Sequence, residues 1–348
     1  FISYIIFGAM VKREATGGGP HIPIITPISK IAYFFASIPS NLKRFKSPAV
    51  FEPNKIKEVR FNGLSGFSGD RNNNETYLLL SRFDGKSKQG IVELIDLKSW
   101  EVLFKWNPDF DAIWDNVNYD ESNKWEYLRR DYNDSRIKLI HPIIYEDGSL
   151  LTQYNSPLVK INKDSKLIKL LDDEVYHHSI EKDIDNNIWV CVKYYPFKID
   201  KKYVGNNYKN FRDDGIRKIS NSGEVLFDKS VSEIFLENNM EHLLFGRGDY
   251  KYKKDPIHLN DIQPVDFNSK YWKKGDVFLS IRNQSMLILY RPETNQIIWI
   301  GSGKFFHQHD INILDESKIY FFNNNSKSFI DGGTVDGNNN VMIYDFET

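Results

Sequence analysis

Four short stretches of the chain concentrate side chains able to bind and pass on an anionic group. They are Tyr176-His177-His178-Ser179, Asp255-Pro256-Ile257-His258-Leu259-Asn260-Asp261, Ser280-Ile281-Arg282-Asn283 and His307-Gln308-His309-Asp310. Of the chain's 8 histidines, five fall in these stretches. A neutral imidazole nitrogen attacks a sulfuryl or phosphoryl group at pH 7 and leaves readily afterwards. A planar guanidinium binds two oxygens of such a group and stabilises its charge. His309 is read as the nucleophile, with Asp310 orienting its ring or helping the backbone turn. His307, two residues away, would share a side of an extended strand and competes for that assignment or contacts substrate. Arg282 fits electrostatic stabilisation, with Asn283 beside it as a substrate contact. His258 and Asn260 share a face if their segment is extended. His177 and His178 are neighbours, so in a strand only one can face a common site, with His178 favoured. Each residue also has an ordinary reading, as a strand-end histidine or an ion-paired arginine.

The elements that must position these residues are β-strands. From about residue 75 a triplet of apolar strands recurs. The first copy runs through Tyr77–Ser81, Ile91–Asp96 and Glu101–Trp106, and the second through Ser149–Tyr154, Leu158–Ile161 and Leu167–Leu170. The third is Asn187–Val190, Gly215–Ile219 and Glu224–Phe227 after a long insertion. The fourth is Asp276–Ser280, Met286–Tyr290 and Gln296–Ile300, and the fifth starts at Lys318–Phe322 and reaches Val341–Tyr344. Asp-Gly, Asn-Lys-Asp and Pro-Glu-Thr-Asn segments supply tight turns between antiparallel neighbours. A strand unit repeated at this interval predicts an all-β propeller, and residues 75–348 at ~45 per blade make about six blades. Ile56–Phe61 is a candidate closing strand, and a tandem of β-sandwiches is the runner-up architecture. Ser230–Phe245 has helical spacing and reads as a lid or an inter-blade helix.

Taken in order, the four stretches resemble the bacterial arylsulfotransferase family. The Gln308-His309-Asp310 stretch is similar to the family segment whose histidine becomes sulfated, and His258-Leu259-Asn260 to its His-x-Asn segment. His177-His178 is similar to its His-His segment. The resemblance implies a propeller that moves a sulfuryl group from a phenolic sulfate ester to a phenolic acceptor through a sulfohistidine at His309. It implies that Arg282 and His258 contact the sulfuryl oxygens and that His177 or His178 assists proton transfer. It implies no nucleotide sulfate donor and no cofactor. The N-terminal β-sandwich of well-studied members is not recognisable. A non-catalytic propeller binding an anionic ligand or a protein, or an aryl sulfate hydrolase, are the alternatives.

Composition narrows the field further. A net charge of −1 gives no electrostatic reason to expect nucleic acid. The single cysteine, Cys191, excludes an internal disulfide and reads as a small buried residue. No nucleotide-binding glycine loop, zinc-protease motif or nucleophile elbow is present. Asp331–Asn338 could hold Ca²⁺ but lacks EF-hand spacing. The sequence predicts residues 1–48 as a membrane-anchor remnant, linker and amphipathic segment, and 49–348 as the propeller. Phe1–Met10 is apolar but shorter than the ~20 residues that span a bilayer. Thr16–Pro20 is a glycine-rich linker, and Ile28–Leu42 followed by Lys43-Arg44 reads as an interfacial helix. The natural protein is expected to continue beyond both ends, with the propeller membrane-tethered and facing the periplasm.

Overall fold

The computed structural model describes residues 2–15, 24–46, 66–87, 89–117, 139–153, 156–204, 211–246, 254–329, 332–335 and 337–348. They divide into two units, Phe1–Gly66 and Phe67–Thr348. In the first, α1 (Ile2–Ala15) packs on α2 (Ile25–Lys46). Arg13 donates to Ser29 Oγ at 2.9 Å and to Thr26 Oγ1 at 3.2 Å, tying the end of α1 to the start of α2. The interfacial segment is therefore helical. Among the described residues, however, no helix is long and apolar enough to cross a membrane. Tyr4 of α1 and Phe34 and Phe35 of α2 are exposed.

The described residues of the second unit form an all-β propeller of five blades, not six. Blade 1 is β1 (Tyr77–Asp84), β2 (Gln89–Asp96) and β3 (Val102–Trp106), followed by α3 (Phe110–Trp114). Blade 2 is β4 (Ile140–Ile144), β5 (Leu150–Gln153), β6 (Leu158–Ile161) and β7 (Leu167–Leu171). Blade 3 is β8 (Val175–Lys182), β9 (Ile188–Tyr194), β10 (Asp213–Ile219) and β11 (Val225–Ser230), with α4 (Lys201–Val204) between β9 and β10. The helices α5 (Val231–Glu237) and α6 (His242–Phe245) follow. Blade 4 is β12 (Leu259–Pro264), β13 (Val277–Ile281), β14 (Met286–Arg291) and β15 (Gln296–Ser302). Blade 5 is β16 (His309–Ile313), β17 (Lys318–Asn323) and β20 (Asn340–Asp345), with the hairpin β18 (Ser326–Phe329) and β19 (Gly332–Val335) inserted. The length arithmetic overshot because part of the length goes to helices, namely α3, α4, α5 and α6, rather than to strands. The closing strand expected at Ile56–Phe61 lies outside the described residues, as do Asp331 and Asp336 of the possible Ca²⁺ loop.

The expected tight turns are present. Gly148, Ser165, Asn186 and Gly223 each take a left-handed φ, between 60° and 98°, inside a reverse turn that closes a hairpin. Hydrophobic clusters fill the gaps between successive blades. Leu139, Leu150 and Val159 pack with Val92 and Trp106, and Trp272, Phe278 and Leu289 pack with Ile311 and Phe321. Between blades 3 and 4 the seam is widened by α5, whose Val231, Ile234 and Phe235 pack against Cys191, Leu259 and Leu279. The helix is started by a capping box, Ser230 accepting from the Glu233 amide while the Glu233 carboxylate accepts from the Ser230 amide. It is an inter-blade helix rather than a lid. Cys191 is fully buried within this cluster, as its strand position implied.

The first strands β4, β8, β12 and β16 pack on one another in succession and form the inner wall. Ile188–Val192, Asp276–Ile281 and Ile319–Phe322 are second strands, and the innermost strands begin with the histidine-bearing stretches themselves.

Candidate active site

Every inner strand is bulged near its start. In β8, His177 pairs with Cys191 and Ile180 with Val190, so His178 and Ser179 are extra to the ladder. In β12, Leu259 pairs with Ile281 and Asp261 with Ser280, leaving Asn260 unpaired. The ladders of β16 and β4 shift between His309 and Asn312 and between Ile140 and Ile143. Left-handed φ values accompany these bulges: 44° at His141, 59° at His178, 51° at His258, 51° at His307 and 58° at Asp310. Such values are uncommon outside glycine and cluster where a site re-aims its side chains.

The bulges break the strand alternation on which the sequence reading relied. His177 and His178 do not diverge. Their rings lie 5.1 Å apart, with the two Nδ1 atoms 2.8 Å apart in a hydrogen bond. His178 is the hub, its ring centroid 5.3 Å from that of His258 and 6.3 Å from that of His309. His177 stands behind it, buried, with Nε2 3.5 Å from Asp214 Oδ1. Lys193 Nζ lies 3.6 Å from the same oxygen. Arg282 opens the single turn Arg282–Gln284 between β13 and β14, and its charge acts on His178, His307 and His309. This turn is pinned from outside. Arg282 N–H donates to the His258 carbonyl at 3.2 Å, and Gln284 Nε2 donates to the carbonyls of Leu243 and Pro256.

His258 and His309 each have a partner that fixes the ring's orientation. His258 Nδ1 is 2.8 Å from Asp255 Oδ2, which also accepts from Arg212 at 2.9 Å. His309 Nδ1 donates to the His307 carbonyl at 3.0 Å, with Asn324 Nδ2 3.1 Å from the same nitrogen. That bond leaves His309 Nε2 as the nitrogen with a free lone pair. His307 therefore serves His309 through its backbone, and with its left-handed φ it is not part of the extended strand once expected. Asn260 and Asn283 are structural more than open contacts. Asn260 Nδ2 donates to the Gln308 carbonyl at 2.7 Å, and Asn283 bridges Arg282 Nη1 to the Asp255 carbonyl. Asn260 Oδ1 is buried without a hydrogen bond. Asp310 takes a left-handed φ of 58° at the bulge, and its charge acts on His309.

Burial and like charge govern protonation. Burial, reinforced by Arg282, pushes His309 down to about 4. Burial and surrounding positive groups hold His177 and His178 well below the usual imidazole range. Asp255 goes the other way. Burial opposes its charge, but the His258 hydrogen bond and the charges of Lys193 and Arg212 bring it to about 2. Sequence reasoning passed over Asp255, Asp214, Lys193, Arg212 and Asn324. The first lies three residues before His258 and was legible as a partner. The rest come from other strands and turns, with no local signal.

A β-propeller whose inner strands gather histidines and one arginine at a common centre is the class these observations define. Residues 141–348 match the model of the Arylsulfotransferase (ASST) family, more than half of the chain, and the chain belongs to that family. A putative E3 ubiquitin-protein ligase protein of Plasmodium falciparum is 22% identical over 210 residues, covering 58% of this chain. The chain spans about 2% of that protein's length. Among solved structures, the Neurospora crassa Pan2 WD40 domain is similar with a TM-score of 0.42 and 7% identity, over 80% of this chain and 61% of that one. Streptogramin B lyase is similar with a TM-score of 0.37 and 10% identity, over 74% and 62%.

Proposed function

We propose that the chain is an aryl sulfotransferase working by ping-pong transfer through a sulfohistidine at His309. The observation that carries this reading is the convergence of His258, His309 and the charge of Arg282 on the His178 ring, from three different blades and turns. In the first half-reaction the Nε2 lone pair of His309 attacks sulfur. An N–S bond forms, the S–O bond to the aryl group breaks, and the phenolate leaves. Arg282 offsets charge on the sulfuryl oxygens. His258, held by Asp255, gives a proton to the departing phenolate. In the second half-reaction neutral His258 takes the proton of the acceptor phenol, whose oxygen attacks sulfur as the N–S bond breaks. His177 and His178, held neutral, are poor proton donors, so the proton is assigned to His258 and His178 positions the rings.

Intact-mass spectrometry after brief exposure to 4-nitrophenyl sulfate tests this. The parent chain should gain one sulfuryl group, and His309→Ala none, with transfer to phenol reduced more than about 10³-fold. Phenol release with no adduct and no acceptor product would replace transfer by hydrolysis. Neither adduct nor release from folded protein would overturn catalysis for this substrate class.

A further inference from the structure

A second cluster, unused by sulfuryl transfer, lies on the same four inner strands. It comprises His141 of β4, Glu181 of β8, Asp261 of β12 and Asp310 of β16, one residue per blade. His141, Asp261 and Asp310 offer one ligand atom each, all within 4.8 Å of one another. Glu181 Oε1 is 3.3 Å from His141 Nδ1. Among the described residues, no lysine or arginine forms an ion pair with these three carboxylates. Asp261 is 1% exposed. Its Oδ2 accepts from the Ile311 amide at 2.5 Å, but its Oδ1 is buried with no hydrogen bond. The fully buried Ser179 hydroxyl lies against the Asp261 carboxylate and favours its charge, but outside good hydrogen-bond geometry. A buried carboxylate oxygen without a well-formed donor is costly, and a bound ion is one way to complete it.

We propose that His141, Asp261 and Asp310 form a divalent-cation site for a metal of mixed nitrogen–oxygen preference, Mn²⁺ or Zn²⁺, with Glu181 orienting the His141 ring through Nδ1. An imidazole beside two carboxylates disfavours Ca²⁺ and Mg²⁺, which take oxygen ligands. The spacing of these three donors needs only a small contraction to bring each to about 2.0–2.2 Å from one ion. The backbone is already set for it, since His141 and Asp310 sit at the left-handed bulge positions of their strands. Such an ion would clamp blades 2, 4 and 5 to one another, with blade 3 supporting His141 through Glu181.

Electron paramagnetic resonance of Mn²⁺ titrated into the full chain, without any sulfate ester, is the test. The six-line signal of free Mn²⁺ should disappear up to one equivalent, Zn²⁺ should compete, and His141→Gln with Asp310→Asn should weaken binding at least tenfold. Persistence of the free signal in excess protein, or equal binding by the variant, would overturn the proposal. Competition by Ca²⁺ as strong as by Zn²⁺ would overturn His141 as a ligand. If the variant fails to fold, Mn²⁺ broadening of the histidine ring protons in the parent chain decides instead: broadening of His141 supports the site, its absence removes it.

Discussion

Two clusters of opposite character grow from the same inner strands. One gathers His178, His258, His309 and the charge of Arg282; the other gathers His141, Glu181, Asp261 and Asp310. They are nearest neighbours along the chain, His309 beside Asp310 and His258 three residues before Asp261. Burial acts on both with one physics and two results. It disfavours charge, so it drives His309 down to about 4 and Asp261 up to about 7. A neutral imidazole is a ready nucleophile, whereas a desolvated carboxylate calls for a proton or a cation. A bulged strand thus presents two chemistries from adjacent positions, which a regular strand would present on its two opposite faces.

Removing the charge from the first cluster should give the largest effect. Arg282→Ala is expected to lower kcat/KM for 4-nitrophenyl sulfate by about 10²–10³-fold while leaving Mn²⁺ binding intact. Arg282→Lys should recover only part of the loss, since an ammonium keeps the charge but not the bidentate fork. A rate unchanged in Arg282→Ala would dissolve the contrast, because the first cluster would then owe nothing to positive charge.

A smaller effect separates the clusters by pH. The folded value of His309 is depressed, so its neutral form is present above about 4 and is lost as pH falls through that value. At pH 5.5 sulfohistidine formation, followed by quenched-flow mass spectrometry, should stay within about twofold of its rate at pH 7. An unperturbed imidazole near 6.5 would by then lose about tenfold. A limb centred near pH 6.5 would place His309 in water rather than in the buried position beside Arg282.

Much of this arrangement was legible from residue order. The propeller, the tight turns, the buried Cys191 and the helix after Ser230 all follow from local patterns of apolar residues and Asp-Gly pairs. The blade number was not, because length cannot distinguish a blade from an inter-blade insertion such as the helices α5 and α6. Alternation failed at His177-His178 and His258-Leu259-Asn260, since strand periodicity carries no mark of a bulge. The second cluster was invisible for a related reason. His141, Glu181, Asp261 and Asp310 are scattered over 170 positions, and only the packing of first strand on first strand brings them together.

The smallest expected effect tests whether the clusters are held by one strut. Gln308 is fully buried between blades 4 and 5. Its Nε2 donates to Ser280 Oγ at 3.0 Å and to the Met286 carbonyl at 2.8 Å, while its own carbonyl accepts from Asn260 and Ser280. His309 and Asp310 leave the chain immediately after it, toward the two clusters. Gln308→Leu keeps the backbone acceptor but strands the Met286 carbonyl, a loss of about 1–3 kcal/mol in urea unfolding. The low end is expected, because Gln308 Oε1 is itself without a partner and its removal offsets part of the cost. Transfer and Mn²⁺ affinity should weaken together in this variant, whereas Arg282→Ala and His141→Gln separate them. A less stable protein that keeps both would show that each cluster is positioned by its own bulge, and that the strut between them only fastens the blades.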